Sequence, residues 1–128
     1  MGINLTKDQL ECLISDGTYG WGCVTARALA SEKYLDEKLD KEYLEDRTYE
    51  EKLADRLLAG GHIFFDMGEE EDEGEFERLL TLEDFNKGME KAAIIEPRHY
   101  ADFMSENDDA DTGYVLLQVI AYGEVVFG

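Results

Sequence analysis

The stretch GEEEDEGEFE, residues 68–77, is the most chemically distinctive part of this 128-residue chain. Between Asp66 and Glu77 there are eight acidic residues and no basic one. A cluster of this kind can bind cations weakly, attract a basic partner, or serve as a solvated loop. Because 31 acidic residues against 12 basic ones give the whole chain a formal charge of −19, basic surfaces and cations are its natural partners.

A second acidic segment lies near the end of the chain, where residues 99–128 hold six acids and no Lys or Arg. If both segments lie on one face, their side chains follow one another at roughly 5–7 Å, which is comparable to the phosphate spacing of a nucleic-acid strand. We therefore predict a face that fits a basic cleft built for DNA or RNA. The alternative is that the aspartates complement a helix dipole and the first segment is merely solvated. The predicted partner-binding residues are Glu69, Glu70, Glu71, Asp72, Glu73, Glu75, Asp108, Asp109 and Asp111.

The spacing of the candidate ligand and catalytic residues gives little support for a metal site or an active site. Aligning Gly113 with the glycine of a calcium-binding EF-hand loop places Ala110, Thr112 and Val119 at ligand positions, so only Asp108 and the glycine fit. Zinc would have to use two cysteines and two histidines that show neither CxxC nor HxxxH spacing. Nucleophilic catalysis has no recognisable constellation. The sequence therefore predicts no metal, no cofactor and no enzymatic activity.

Composition favours one globular domain over residues 1–128, because 44% hydrophobic residues suffice for a core. The negative charge disfavours direct binding to nucleic acid or to an anionic membrane. No signal sequence or spanning segment is recognised, which predicts an intracellular, reduced protein. Cys12 and Cys23 can pair, but two cysteines are not a disulfide scaffold, and Cys12 is interpreted as a semi-buried small hydrophobe.

An α+β fold follows from the periodicities: four to five helices packed on a small antiparallel sheet. Capping signals predict helix starts after Thr6, Thr48, Thr81 and Asp109. The helices are expected at about 7–15, within 31–58, from 81 to 96 and at 110–122, the last one buried at the core centre. Residues 62–66 and 75–80 are predicted to form a β-hairpin with the acidic stretch as its loop. Residues 23–27 read as a strand or a helix start, 99–104 as a turn or short helix, and 124–127 as a closing strand.

Three segments in the second half carry a resemblance: LLAGGHIFFDMGEE, LLTLEDFNKGMEKA and DADTGYVLLQVIAYGEVVFG. They resemble small acidic proteins encoded by phages and prophages of Gram-positive bacteria, over roughly residues 54–128. The shared features fall on Gly60, Gly61, Lys87, Gly88, Asp109, Ala110, Gln118, Gly123 and Gly128. The resemblance implies an accessory phage gene product in the host bacterial cytoplasm, and it transfers no activity and no functional residue.

These observations lead to two main hypotheses, with a small enzyme, whose residues the fold would bring together from distant positions, as a third. The first is an inhibitor of a host defence system, of the anti-CRISPR or anti-restriction type, that presents carboxylates to the basic nucleic-acid-binding surface of a nuclease. The second is a phage accessory or assembly protein that binds another protein through apolar contacts, with its charge serving solubility. Salt dependence separates them, because ionic contacts weaken with ionic strength and apolar contacts change little.

Overall fold

The computed structural model describes residues 2–18, 24–38, 48–69 and 72–127. Within these residues the fold is α+β, as predicted. The described residues do not include Trp21, Cys23, Leu39 and Tyr43. In chain order the elements are α1 (Lys7–Thr18), β1 (Thr25–Ala28), a 3-10 helix (Ala30–Lys38), α2 (Tyr49–Leu58), β2 (Ile63–Asp66), β3 (Arg78–Leu80), α3 (Leu82–Ile95), α4 (Pro97–Met104) and α5 (Ala110–Tyr122).

The sheet is antiparallel, with strand order β1-β2-β3. The predicted hairpin is confirmed, with strands somewhat shorter than expected. Of the segment 23–27, which was predicted as a strand or a helix start, the residues from Thr25 onwards lie in β1, and Cys23 lies outside the described residues. Ile63 and Phe65 of the central strand are fully buried, whereas Phe64 lies on the opposite face. This alternation follows from the two-residue period of a strand, and it packs one face of the sheet against the helices.

α5 forms the centre of the core and packs against α1 and α3. Its apolar residues are buried on most sides, as the sequence predicts, and Gln118 is fully buried among them. The contact with α3 is close because Gly88 faces Ile120 without a side chain between the two backbones. On α1, the predicted stripe of Leu10, Leu13 and Ile14 is buried.

Local capping signals are confirmed at all four predicted helix starts. Thr6, Thr48 and Thr81 each accept a hydrogen bond from the backbone N–H three residues later, at 3.2, 3.3 and 3.2 Å. Asp109 accepts one from the N–H of Thr112 at 2.9 Å. At the other end of α5, Gly123 adopts a left-handed conformation (φ 80°), which a glycine takes without steric cost.

Two predicted boundaries are wrong. α1 continues through Gly17 to Thr18 instead of ending near residue 15, and its last turn packs on α5 at Gly17, where a side chain would clash with Leu117. Residues 124–127 do not form a strand. The N–H groups of Val126 and Phe127 donate to the Gln118 side chain instead, at 2.8 and 2.7 Å, so a buried amide holds this terminal segment in place of a sheet.

The 3-10 helix is held to the sheet through one carboxylate. Glu32 accepts a hydrogen bond from the N–H of His62 at 2.8 Å, and its second oxygen lies 3.0 Å from Nδ1 of the same residue. Burial alone would raise the pKa of Glu32, but the contacts with His62 outweigh it and lower that pKa. His62 therefore has the structural role that its apolar neighbours predict.

Candidate acidic interface

Hydrogen bonds and ring contacts hold the base of the acidic hairpin loop against the end of α5. The hydroxyl of Tyr122 donates to the carbonyl of Phe76 at 2.8 Å and accepts from the N–H of Met67 at 3.1 Å, so it joins both sides of the loop. The ring of Phe76 packs edge-on against Tyr122 and Phe127, with centroids 5.8 and 4.9 Å apart. These contacts hold the base of the loop in a defined position.

The tip of the loop presents its carboxylates to solvent. Glu69, Glu73 and Glu75 are exposed and Asp72 is half-buried, while the predicted residues Glu70 and Glu71 lie outside the described residues. The half-buried carboxylate of Asp72 turns inward to accept from the N–H of Glu69 at 2.7 Å. Glu73 and Gly74 both have positive φ, which gives the tight reversal there.

At the start of α5, the predicted residues Asp109 and Asp111 act on the helix itself. Asp109 is the N-cap, and the hydrogen bond from the backbone N–H of Thr112 lowers the pKa of its carboxyl. Asp111 is exposed in the first turn, where a negative charge complements the helix dipole. Asp108 differs from both, because it is half-buried and faces α1.

The structure does not bring the two predicted acidic segments together. The hairpin loop is anchored at Tyr122, the last residue of α5, and Asp109 caps its first turn. At 1.5 Å per residue these ends of the helix are about 18 Å apart. The loop and the aspartates are therefore two separate acidic regions.

Asp108 instead joins carboxylates of α1, α2 and the segment before α5 that sequence reasoning did not select. We call this surface the α1 acidic face and define it by Asp8, Glu11, Asp16, Glu50, Glu51, Glu106 and Asp108. Two depressions meet on it at Cys12. One lies between α1 and the segment that leads into α5, and the other, of about 260 Å³, lies between α1 and the start of α2. No basic side chain is among the described residues that line either depression.

Three groups on this face have raised pKa values, and burial is the largest cause of each shift. Burial and the charge of Glu51 raise the pKa of Glu11. Burial and the charges of Asp108 and Asp16 raise the pKa of the Cys12 thiol. Burial, contact with Asp108 and the charges of Asp108 and Asp109 raise the pKa of Asp16 to about 7. The three groups favour their protonated forms because burial disfavours ionisation and the neighbouring carboxylates add to that effect.

The structure contradicts the expectation that Cys12 is semi-buried. It is exposed, not semi-buried, and it is a free thiol. The raised pKa means that little of it is the nucleophilic thiolate at neutral pH.

One sequence signal points to the face in retrospect. Asp8, Cys12 and Asp16 are spaced four residues apart, which places them in one row along α1. The charges at the start of α2 are mixed along the sequence, which is typical of an ion-paired helix surface. Lys7 does pair with Asp55, at 2.9 Å, but Glu50 and Glu51 line the depression beside α1.

Among the described residues, no three histidine, cysteine, aspartate or glutamate side chains converge as a metal site. Within that same part of the chain, no helix has both the length and the apolar composition of a membrane span. Comparison of the chain with protein-family models, curated proteins and solved structures finds no match in any of the three. We therefore infer the function from the geometry of the α1 acidic face.

Proposed function

We propose that this protein is a phage-encoded inhibitor of a host defence nuclease, of the anti-CRISPR or anti-restriction type. It acts without chemistry, by covering a basic nucleic-acid-binding surface of the nuclease with the α1 acidic face. The observation that carries the proposal is the convergence of carboxylates from α1, α2 and the segment before α5 on one surface where protons are held. Such a potential favours fast, salt-sensitive association with a basic partner.

The hairpin loop takes a secondary position in this proposal. Because it lies at the far end of α5, it contacts the partner only if the partner's basic surface spans about 18 Å or more. Its anchored base favours a contact, because fewer degrees of freedom are lost on binding than with a free loop. The two regions are separable by mutation.

The test uses two variants with matched net charge. The face variant carries Asp8→Lys, Glu50→Lys and Glu106→Lys, and the loop variant carries Glu69→Lys, Glu73→Lys and Glu75→Lys. Each tagged protein is incubated with lysate of a Gram-positive bacterium and eluted in steps of salt or with duplex DNA, after circular dichroism has verified the fold. We expect the wild-type protein to capture a nucleic-acid-binding protein that moderate salt or DNA releases. The face variant should lose at least roughly 90% of this capture, since several ionic contacts disappear together.

Each outcome has a defined meaning. Loss of capture in the loop variant alone would contradict the α1 acidic face as the contact and transfer that role to the hairpin. A partner that survives high salt and ignores DNA in all three proteins would contradict the inhibitor proposal.

The second candidate function, assembly through apolar contacts, is favoured by the outer face of the sheet. Leu79 lies opposite Phe64 there and is 54% exposed, and the Arg27 guanidinium stacks 4.5 Å from the Phe64 ring centroid. An apolar row of this kind suits a protein contact that resists salt. Leu79→Ser should abolish capture if this function is correct and leave it intact if the acidic contact is correct.

A further inference from the structure

The junction between α1 and α5 is a direct backbone contact. A Cβ atom added to Gly113 would lie 2.6 Å from the nitrogen of Gly17 and 2.4 Å from the Cβ of Asp16. A Cβ added to Gly17 would lie 2.1 Å from a methyl carbon of Leu117. The last turn of α1 therefore packs directly against the first turn of α5, and Asp16 lies at the contact.

Asp16 lacks the partner that a confined carboxylate needs. Its Oδ2 atom is buried and receives no hydrogen bond. The group within hydrogen-bonding reach is the carboxyl of Asp108, which when ionised has no hydrogen to donate. Two carboxylates at such a distance repel each other, whereas one shared proton turns the contact into a hydrogen bond.

The groups around this pair do not offset the repulsion. Asp109 faces it from α5, Glu11 and Cys12 lie beside it on α1, and Glu50 and Glu51 line the same depression from α2. On α4, His99 contacts Thr112 at 3.4 Å and acts on Asp109. Lys7 lies at the other end of α1 and pairs with Asp55. Asp16 also lies in the last turn of α1, where the helix dipole disfavours a negative charge.

We propose that the α1–α5 junction is a pH-sensitive contact in which one proton shared by Asp16 and Asp108 joins the end of α1 to the start of α5. Loss of this proton leaves two like charges at a contact where the glycines allow the two helices to lie close together. The junction is tighter in mild acid than above neutral pH. This inference concerns the fold and holds whether or not the protein is an inhibitor.

The pH window follows from the direction of the shift. The pKa of Asp16 is raised to about 7 from an ordinary value of 3.8, so between these values the folded protein retains a proton that the unfolded chain has lost. Stability from this pair is therefore complete below about pH 4, falls as the pH rises towards 7, and stays constant above. A carboxyl of ordinary pKa has titrated by about pH 5, so between pH 5 and 8 the difference between the wild type and Asp16→Asn isolates the contribution of Asp16.

Thermal unfolding between pH 5 and 8 tests the proposal with three variants. In Asp16→Asn and Asp108→Asn a permanent amide donor replaces the shared proton. Asp111→Asn removes an exposed charge near the same helix start as a control. We expect the melting temperature of the wild type to fall by roughly 4 °C more than that of Asp16→Asn across this range. Asp111→Asn should follow the wild type, and all four proteins share the histidines.

A carboxyl ¹³C titration of the wild type by NMR provides the readout that needs no variant. We expect one aspartate to titrate near pH 7, and that resonance to be missing from Asp16→Asn. An ordinary acidic titration of Asp16 would overturn the proposal even if a variant failed to fold. Parallel pH profiles of the wild type, Asp16→Asn and Asp108→Asn would overturn it as well.

Discussion

Replacing Gly88 with alanine tests the close packing on which the central helix depends. Gly88 lies in the middle of α3, where alanine is better by about 1 kcal/mol on helix propensity alone. The new Cβ, however, would lie 2.6 Å from the Cα of Ile120, whereas ordinary contacts lie at 3.4–4 Å. Because the obstacle is backbone, no change of rotamer relieves the clash, and α3 and α5 have to separate.

The size of the steric cost, compared with the gain in helix propensity, decides whether Gly88→Ala stabilises or destabilises the protein. Forcing extra volume into a packed core costs up to about 3 kcal/mol, and the backbone clash places this case at the upper end. After the gain in propensity, the net loss is about 2 kcal/mol. For a chain of 128 residues this lowers the melting temperature by about 8 °C.

Urea and thermal unfolding followed by circular dichroism measure this change. Ile94→Ala is the matched control, because Ile94 is on the same helix and 80% exposed, so alanine there changes propensity without a clash. We expect the control to be neutral or slightly stabilised. If Gly88→Ala were stabilised to the same extent, the reasoning that the glycine is required by the α3–α5 contact would be refuted.

Two further predictions concern the segments attached to α5. Tyr122→Phe removes the hydroxyl that joins Met67 to Phe76. We therefore expect the free energy of unfolding to fall by about 1–2 kcal/mol and the amide of Met67 to exchange faster. Unchanged exchange would contradict the anchoring of the acidic loop. Gln118→Leu keeps the buried volume but removes the acceptor for Val126 and Phe127. We expect these two amides to exchange at least roughly tenfold faster, which is the effect of losing about 1.4 kcal/mol of protection, and equal exchange in both proteins would show that the amide does not hold the terminal segment.

The features that were predictable from sequence are those decided within a few residues. A threonine or aspartate followed by a free N–H three residues later is sufficient to start a helix, and all four predicted starts occur where the sequence places them. The apolar period of α5 is equally local, and it predicts a buried helix correctly.

The failed boundaries depend on partners far away in the chain. Gly17 resembles a helix end, yet it lies inside α1, at a close contact with Gly113 and Leu117, which lie nearly a hundred residues later in the chain. Val125, Val126 and Phe127 have the composition of a strand. The N–H groups of Val126 and Phe127 nevertheless donate to the side chain of Gln118 instead of to a neighbouring strand. A propensity describes what a segment does alone, and tertiary contacts override it where they satisfy the backbone better.

The sequence by itself determined the composition of the candidate site: an excess of carboxylates, few bases to pair with them, and two dense acidic segments. Only the tertiary structure decided which carboxylates are neighbours. It separates the hairpin loop from Asp108 by the length of α5 and places Asp108 beside Asp16 of α1. The physical reason is that Coulomb interactions depend on distance in space and on burial, and a linear sequence specifies neither.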